Sequence, residues 1–226
     1  MQVIKKLIPK KEFILMLSCG WDSMASAIYF KNRGYKFVAF HFNGNFIHQD
    51  AITARSVTDF CWNNQISLIV ESGVNNYTKG SKENYCRQSR YKALSKTCKE
   101  FDLHDVVTAH NLNDCVTSYV WRCLKGEASY NPIPFETHFD SFKLSRPFLL
   151  TSKNELKEYA RKAYSVIENY VVEDDLNKDL SLTRNFIREK VLPLIHTKKH
   201  FNLNKVVKKI VEKNLKKHLD EKYMIE

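Results

Sequence analysis

Glycine and proline are scarce in this chain, six and five among 226 residues, so each one present marks a turn worth reading. Long apolar runs are missing too. Nothing approaches the ~18 residues a membrane span needs, and no membrane partner is expected. The run Phe13–Leu17 is shorter than a secretory h-region of roughly 7–15 residues and has no small-residue cleavage site after it, so a cytoplasmic location is expected. The six cysteines (Cys19, Cys61, Cys86, Cys98, Cys115, Cys123) form no C-x-x-C pair and no metal-ligand spacing. They read as reduced structural thiols, which argues against zinc and against a thiol relay. A Walker A sequence is absent, which excludes a P-loop NTPase. Disorder is excluded as well, because 14 Phe, 11 Tyr and 3 Trp offer ample surface to bury.

Negative charge is also in short supply. Against 36 Lys and Arg stand 25 Asp and Glu, a net charge of +11. A field of that sign favours polyanions and makes nucleic acid the default partner class. The plainer alternative is a lysine- and asparagine-rich composition set by an AT-rich genome.

What is present alternates. Glu12–Leu17 reads as a buried strand entering the turn Ser18-Cys19-Gly20, and 23–32 as a helix closed by Gly34. Strands follow at 37–42, 67–70 and 105–109, with helices at 51–63, 83–101 and 114–124, the last closed by Gly126. The order predicts an α/β fold, a Rossmann-like and mostly parallel sheet with helices on both faces. Such sheets bind ligands at the carboxyl ends of their strands. Ser18–Ser23, His41–Asn43 and His110–Asp114 all fall there. Asn131–Arg146 reads as a loop or irregular hairpin, Ser152–Glu155 as a capping box before a helix at 156–164, and Glu173–Asp179 as an acidic loop. A helix over 183–191 is expected to stop at Pro193. Residues 200–223 place Leu203, Val206, Val207, Ile210, Leu215 and Leu219 at helical spacing, a basic amphipathic helix.

Ser18-Cys19-Gly20-Trp21-Asp22-Ser23 carries the first chemistry. A strand feeding a small-residue turn and a helix N-terminus aims backbone N–H groups and the helix dipole at an anion. Ser18 and Ser23 add hydroxyl donors, and Asp22 is a candidate Mg2+ ligand between phosphates. The alternative is a plain N-capped helix.

These residues resemble the S-G-G-x-D-S loop of the PP-loop ATP pyrophosphatases, with Cys19 in place of the first glycine. The likeness extends in order through His41-Phe42-Asn43, Arg87-Gln88-Ser89-Arg90-Tyr91, Ala109–Asp114 running to Arg122 and Gly126, and Arg146-Pro147-Phe148-Leu149-Leu150. Glu173–Asp179 followed by Thr183–Arg188 and Val191-Leu192-Pro193 completes it. The whole is similar to the tRNA(Ile)-lysidine synthetase family. That resemblance implies ATP and Mg2+ as cofactors, tRNA as partner and free lysine as second substrate. ATP would adenylate a wobble cytidine, and the lysine amine would then displace AMP. It implies nucleotide contacts at Ser18, Cys19, Gly20, Trp21, Asp22, Ser23, His41, Asn43 and His110. It further implies catalytic roles for Asp22, Asp114 and Arg122, and substrate or RNA contacts at Asp114, Thr117, Arg87, Arg90, Arg184 and Arg188. Residues 1–197 would form the catalytic domain and 198–226 a helical tail, with a homodimer as a further expectation.

Two departures bear on the amine. The family's H-H-x-D-D-Q-x-E-T stands here as His110-Asn111-Leu112-Asn113-Asp114-Cys115-Val116-Thr117-Ser118, so one aspartate has become Asn113 and the glutamate Thr117. Coupling of another amine, and a non-catalytic RNA-binding protein on the same fold, therefore stay open. For Trp21 and Trp62, packing is favoured over base stacking.

Overall fold

The computed structural model describes residues 1–44, 49–73, 77, 82–127, 131–172, 179–198 and 200–223. Strand β1 (Phe13–Met16) leads through a tight turn into helix α1 (Trp21–Asn32), followed by β2 (Phe37–Asn43), α2 (Gln49–Asn63), β3 (Leu68–Ser72) and α3 (Lys82–Glu100). Then come β4 (Asp105–Val107), α4 (Leu112–Leu124), the short strands β5 (Glu136–His138) and β6 (Lys143–Ser145), and α5 (Lys153–Ala163). The chain ends in α6 (Thr183–Phe186), a π-helical turn (Ile187–Val191), α7 (Leu192–His196) and α8 (Leu203–Tyr223).

The six strands lie in the order β3-β2-β1-β4-β6-β5, parallel throughout except for β5 against β6. The expected α/β sheet is therefore the one observed. Alternation along β1 sorts its side chains between the two faces. Phe13 and Leu15 pack with Met24 and Ile28 of α1, Val57 and Phe60 of α2, and Leu156 and Ala160 of α5. Ile14 faces the other way, with Phe40, Val106, Leu144 and, from α3, Leu94 and Cys98. A third cluster joins Cys115 and Val116 of α4 to Val207 and Val211 of α8. The lysine-rich last helix thus buries its apolar stripe against α4 as part of the core. Gly34 and Gly126 follow α1 and α4 at φ of 69° and 74°, the left-handed conformation that lets a helix end there without a Cβ penalty.

Four expectations need correction. Helices α1 and α4 begin two residues earlier than read, at Trp21 and Leu112, so Asp22 and Asn113 sit in first turns. The segment read as a loop or irregular hairpin holds a regular antiparallel pair, Glu136↔Ser145 to His138↔Lys143. Pro193 does not stop its helix. The π turn ahead of it re-spaces the hydrogen bonds, and proline lies in the first turn of α7, where its missing N–H costs little. Trp62 does not pack: it is 83% exposed. The acidic segment, apart from Asp179, lies outside the described residues.

Candidate functional site

Strand order reverses between β1 and β4, which opens a crevice at their carboxyl ends. The turn after β1 supplies one wall. The Ser18 amide donates to Ser23 Oγ at 3.1 Å, and that hydroxyl lies 2.6 Å from the Ser18 carbonyl. The two hydroxyls are 3.0 Å apart, so both serines fold the turn onto the helix start. Gly20 is the N-cap of α1 and has no side chain to cap it with. The first-turn amides are left to an external acceptor, and the helix dipole adds attraction for an anion. The Cys19 side chain belongs to the core. Its thiol is buried in the core, donates to the Thr53 carbonyl at 2.9 Å, and is pushed up to about 11 by burial. Trp21 packs on the core with Lys157 Nζ 4.6 Å from its ring centroid, in keeping with the packing reading.

The turn after β4 supplies the facing wall. Asn111 caps α4: its side chain accepts from the Asn113 and Asp114 amides, and Asp114 Oδ2 accepts from the Asn111 amide at 3.0 Å. Asp114 Oδ1 lies 3.5 Å from Arg188 Nη2. Across the crevice, Asp22 is raised to about 6, chiefly by burial and then by the negative charge of Asp114. Lys153, Arg188 and a hydrogen bond from Asn111 pull the other way. Among the described residues Asp22 Oδ1 is buried and has no hydrogen-bond partner. A buried carboxyl in this condition is an acid waiting for a cation or a donor.

Two histidines are held neutral. The Nδ1 of His41 lies 3.0 Å from the Leu17 carbonyl, an acceptor, so it carries the proton and the buried, unpartnered Nε2 is an acceptor. Burial lowers His41, and the Arg90 charge adds to this. His110, its Nδ1 3.1 Å from Thr108 Oγ1, is pushed down to about 4 by loss of water, opposed by Asp114 and assisted by Arg146, Arg184 and Arg87.

The structure thus brings together Ser18, Gly20, Asp22, Ser23, His110, Asp114 and Arg188. Asn43 ends β2, where its carbonyl accepts from Gly73. Arg87 and Arg90 are exposed on α3, and Arg87 stands 5.4 Å from the Tyr91 ring centroid. Arg184 donates to Ser118 Oγ at 2.7 Å. Thr117 is 1% exposed and donates to its own helix at the Asn113 carbonyl, 2.9 Å away. Asn113 Oδ1 accepts the Lys153 amide at 2.9 Å, tying α4 to the start of α5. Arg122 is not brought to the crevice. It lies two turns beyond Asp114, about 12 Å along the axis, and donates to the Asn131 carbonyl. Sequence reading gave no site role to Asn111, Lys153 or Arg146, although Asn111 and Arg146 lie in segments that carry the resemblance. The spacing of Asn111 and Asp114 is itself a capping signal, whereas nothing local announces the burial of Arg146, 4% exposed.

A helix N-terminus without a side-chain cap at the switch point of a parallel sheet, with a buried carboxyl oxygen in its first turn, defines a nucleotide-binding α/β protein. The chain belongs to the PP-loop domain family, whose model matches residues 1–195. It is 28% identical over 200 residues to the tRNA(Ile)-lysidine synthase of Lactiplantibacillus plantarum, covering 85% of this chain and 44% of that protein. To the enzyme of the same name from Buchnera aphidicola it is 30% identical over 203 residues, with the same shares. The chain therefore spans about half the length of the curated relatives it matches. Among solved structures, the U34-tRNA thiolase of Methanococcus maripaludis has a TM-score of 0.57 at 14% identity, over 87% of this chain and 74% of that one. The NH3-dependent NAD synthetase of Campylobacter jejuni has 0.50 at 17%, over 94% and 88%. These two likenesses concern the fold. Among the described residues no helix is long and apolar enough to cross a membrane.

Proposed function

We propose that this protein is an ATP-dependent, tRNA-modifying ligase that adenylates a cytidine of an isoleucine tRNA and couples lysine to it. The observation that carries the reading is Asp22 at the uncapped N-terminus of α1, facing Asp114 across the switch point. ATP phosphates suit the first-turn amides, and the Ser18–Ser23 bonds hold those amides in place without reorganisation when charge develops on the leaving pyrophosphate. Mg2+ is commonly held by one or two carboxylates together with phosphate oxygens. The unpartnered Oδ1 of Asp22 fits that donor set, and the ion would neutralise phosphate charge there. The unprotonated Nε2 of His41 is an acceptor for the nucleotide's donors. Asp114, already fixed by the α4 cap and by Arg188, is the carboxylate left to orient an incoming amine. The relatives' names support tRNA as the substrate, and the net charge of +11 suits it.

A second reading has an observation of its own. Neither Asn113 nor Thr117 offers a carboxylate, and the Asn113 side-chain oxygen and the Thr117 hydroxyl are both engaged within the protein. That favours an amine needing one negative partner rather than two. Mass spectrometry of nucleosides from tRNA incubated with protein, ATP, Mg2+ and either lysine or competing amines separates the two. Lysidine mass supports the first reading, and a different adduct in its place the second. No adduct and no pyrophosphate with any amine would reject both.

A further inference from the structure

Arg146 follows directly on β6, the strand next to β4, and its guanidinium is fixed from one side only. Nη1 donates to the Pro134 carbonyl and to Thr137 Oγ1, each at 2.9 Å, both on the segment that forms β5. The backbone amide of Arg146 is tied to the Phe135 carbonyl at 3.0 Å, so the hairpin holds the side chain at both ends. Among the described residues Nε is buried without a hydrogen-bond partner, and no carboxylate lies within ion-pair distance of the group. The nearby carboxylates are taken elsewhere: Asp114 by Arg188 and the α4 cap, Glu136 by Lys143 and His218. The groups whose charges bear on it are Tyr91, Arg87 and Cys115, and its own charge acts on His110.

A buried cation without a counter-charge is costly, and neutral acceptors on one nitrogen do not remove the cost. The Nε edge of an arginine is one of those that meet two oxygens of a carboxylate or phosphate side by side. The group lies close enough to His110 and Arg87 for their charges to act on one another, and Arg87 is exposed.

We propose that Arg146 is an oxyanion anchor for the second substrate, its free Nε edge taking a carboxylate or phosphate group that enters past Arg87 to lie beside His110. What is anchored rests on the ligase reading; the anchor itself rests on the geometry of Arg146. The two sources of such an oxyanion are the carboxylate of an amino-acid amine and a phosphate of the RNA.

The test compares the wild-type protein with Arg146→Lys, which keeps the charge and loses the two-pronged edge, after circular dichroism has shown the variant folded. If the amine's carboxylate is anchored, KM for lysine should rise at least about tenfold. KM for cadaverine, which has no carboxylate, should stay within about twofold. If an RNA phosphate is anchored, the Kd for tRNA should rise about tenfold instead, with the same amine KM values. Thermal stabilisation by inorganic phosphate added at saturating ATP, which fills the turn after β1, requires no turnover, so it reads the anchor even if the coupling reaction fails. It should fall in Arg146→Lys while stabilisation by ATP is kept. A folded variant unchanged in lysine KM, tRNA Kd and phosphate stabilisation would overturn the anchor, leaving Arg146 as a brace of the β5–β6 hairpin.

Discussion

Asp22→Asn should make the free protein more stable while removing its use of ATP. The Asp22 carboxyl is raised from 3.8 to about 6, with burial the largest cause and Asp114 the next. A folded state that raises an acid's pKa holds the proton more tightly than the unfolded chain does. Stability therefore falls as pH climbs from about 4 to about 6, and the loss persists above that. The full difference is worth about 3 kcal/mol near neutrality. Asparagine keeps the shape and the contact with Asn111 without the charge. For a chain of this size, a gain of 2–3 kcal/mol raises Tm by roughly 4–12 °C. The gain should vanish near pH 3, where aspartate is protonated in both states. His110 works in the opposite direction. Lowered from 6.5 to about 4, it adds stability as pH rises through that window. In the wild type the two slopes offset each other, so Asp22→Asn should expose a stability that climbs from pH 4 to 6.5. Urea melts in metal-free buffer at half-unit pH steps measure this, with pyrophosphate release assayed alongside. A variant less stable than wild type at pH 7.5, or a gain that does not change with pH, would refute the account of Asp22 as a strained carboxyl.

Thr117→Glu should destabilise the fold by at least about 3 kcal/mol and leave lysine use no better, because position 117 is 1% exposed and a carboxylate there is buried without a partner; thermal melts and lysine KM check both halves. Val207→Asp, at a fully buried position of α8, should lower Tm by about 10 °C, and an unchanged Tm would mean that α8 is a detachable tail. Arg90→Gln, on an exposed arginine of α3, should reduce the slope of log Kd for tRNA against log salt by about one, as measured by filter binding across a salt series; a steep slope that does not change would remove Arg90 from the interface.

Strand positions were legible because a parallel sheet buried on both faces requires short, continuous apolar runs, and Phe13–Met16 and the first four residues of β2, Phe37-Val38-Ala39-Phe40, supply them. The starts of α1 and α4 lie two residues ahead of the sequence expectation, each for its own reason. At Gly20 the cap has no side chain, and at Asn111 the capping residues sat inside a segment already read for its chemistry. Pro193 misled because the rule that proline ends a helix assumes α spacing, and the π turn at Ile187–Val191 changes that spacing upstream. The strands β5 and β6 are three residues each, too short for any alternation to register against two prolines.

The site divides along the same line. Residues that act through backbone geometry at a strand end, such as Ser18, Gly20 and Ser23, are fixed by local sequence, and spacing alone points to them. Those whose chemistry comes from burial are not. The raised acid at Asp22 depends on Asp114, some ninety residues away, and on Arg188 and Lys153 from later helices. The unpaired edge of Arg146 depends on which carboxylates Lys143, His218 and Arg188 have already claimed. Charge is legible in a sequence, but whether a charge has a partner is a property of the packed molecule. Among the described residues, Asp22 Oδ1 on an acid and Arg146 Nε on a cation are two of the buried polar atoms that packing leaves without a hydrogen-bond partner.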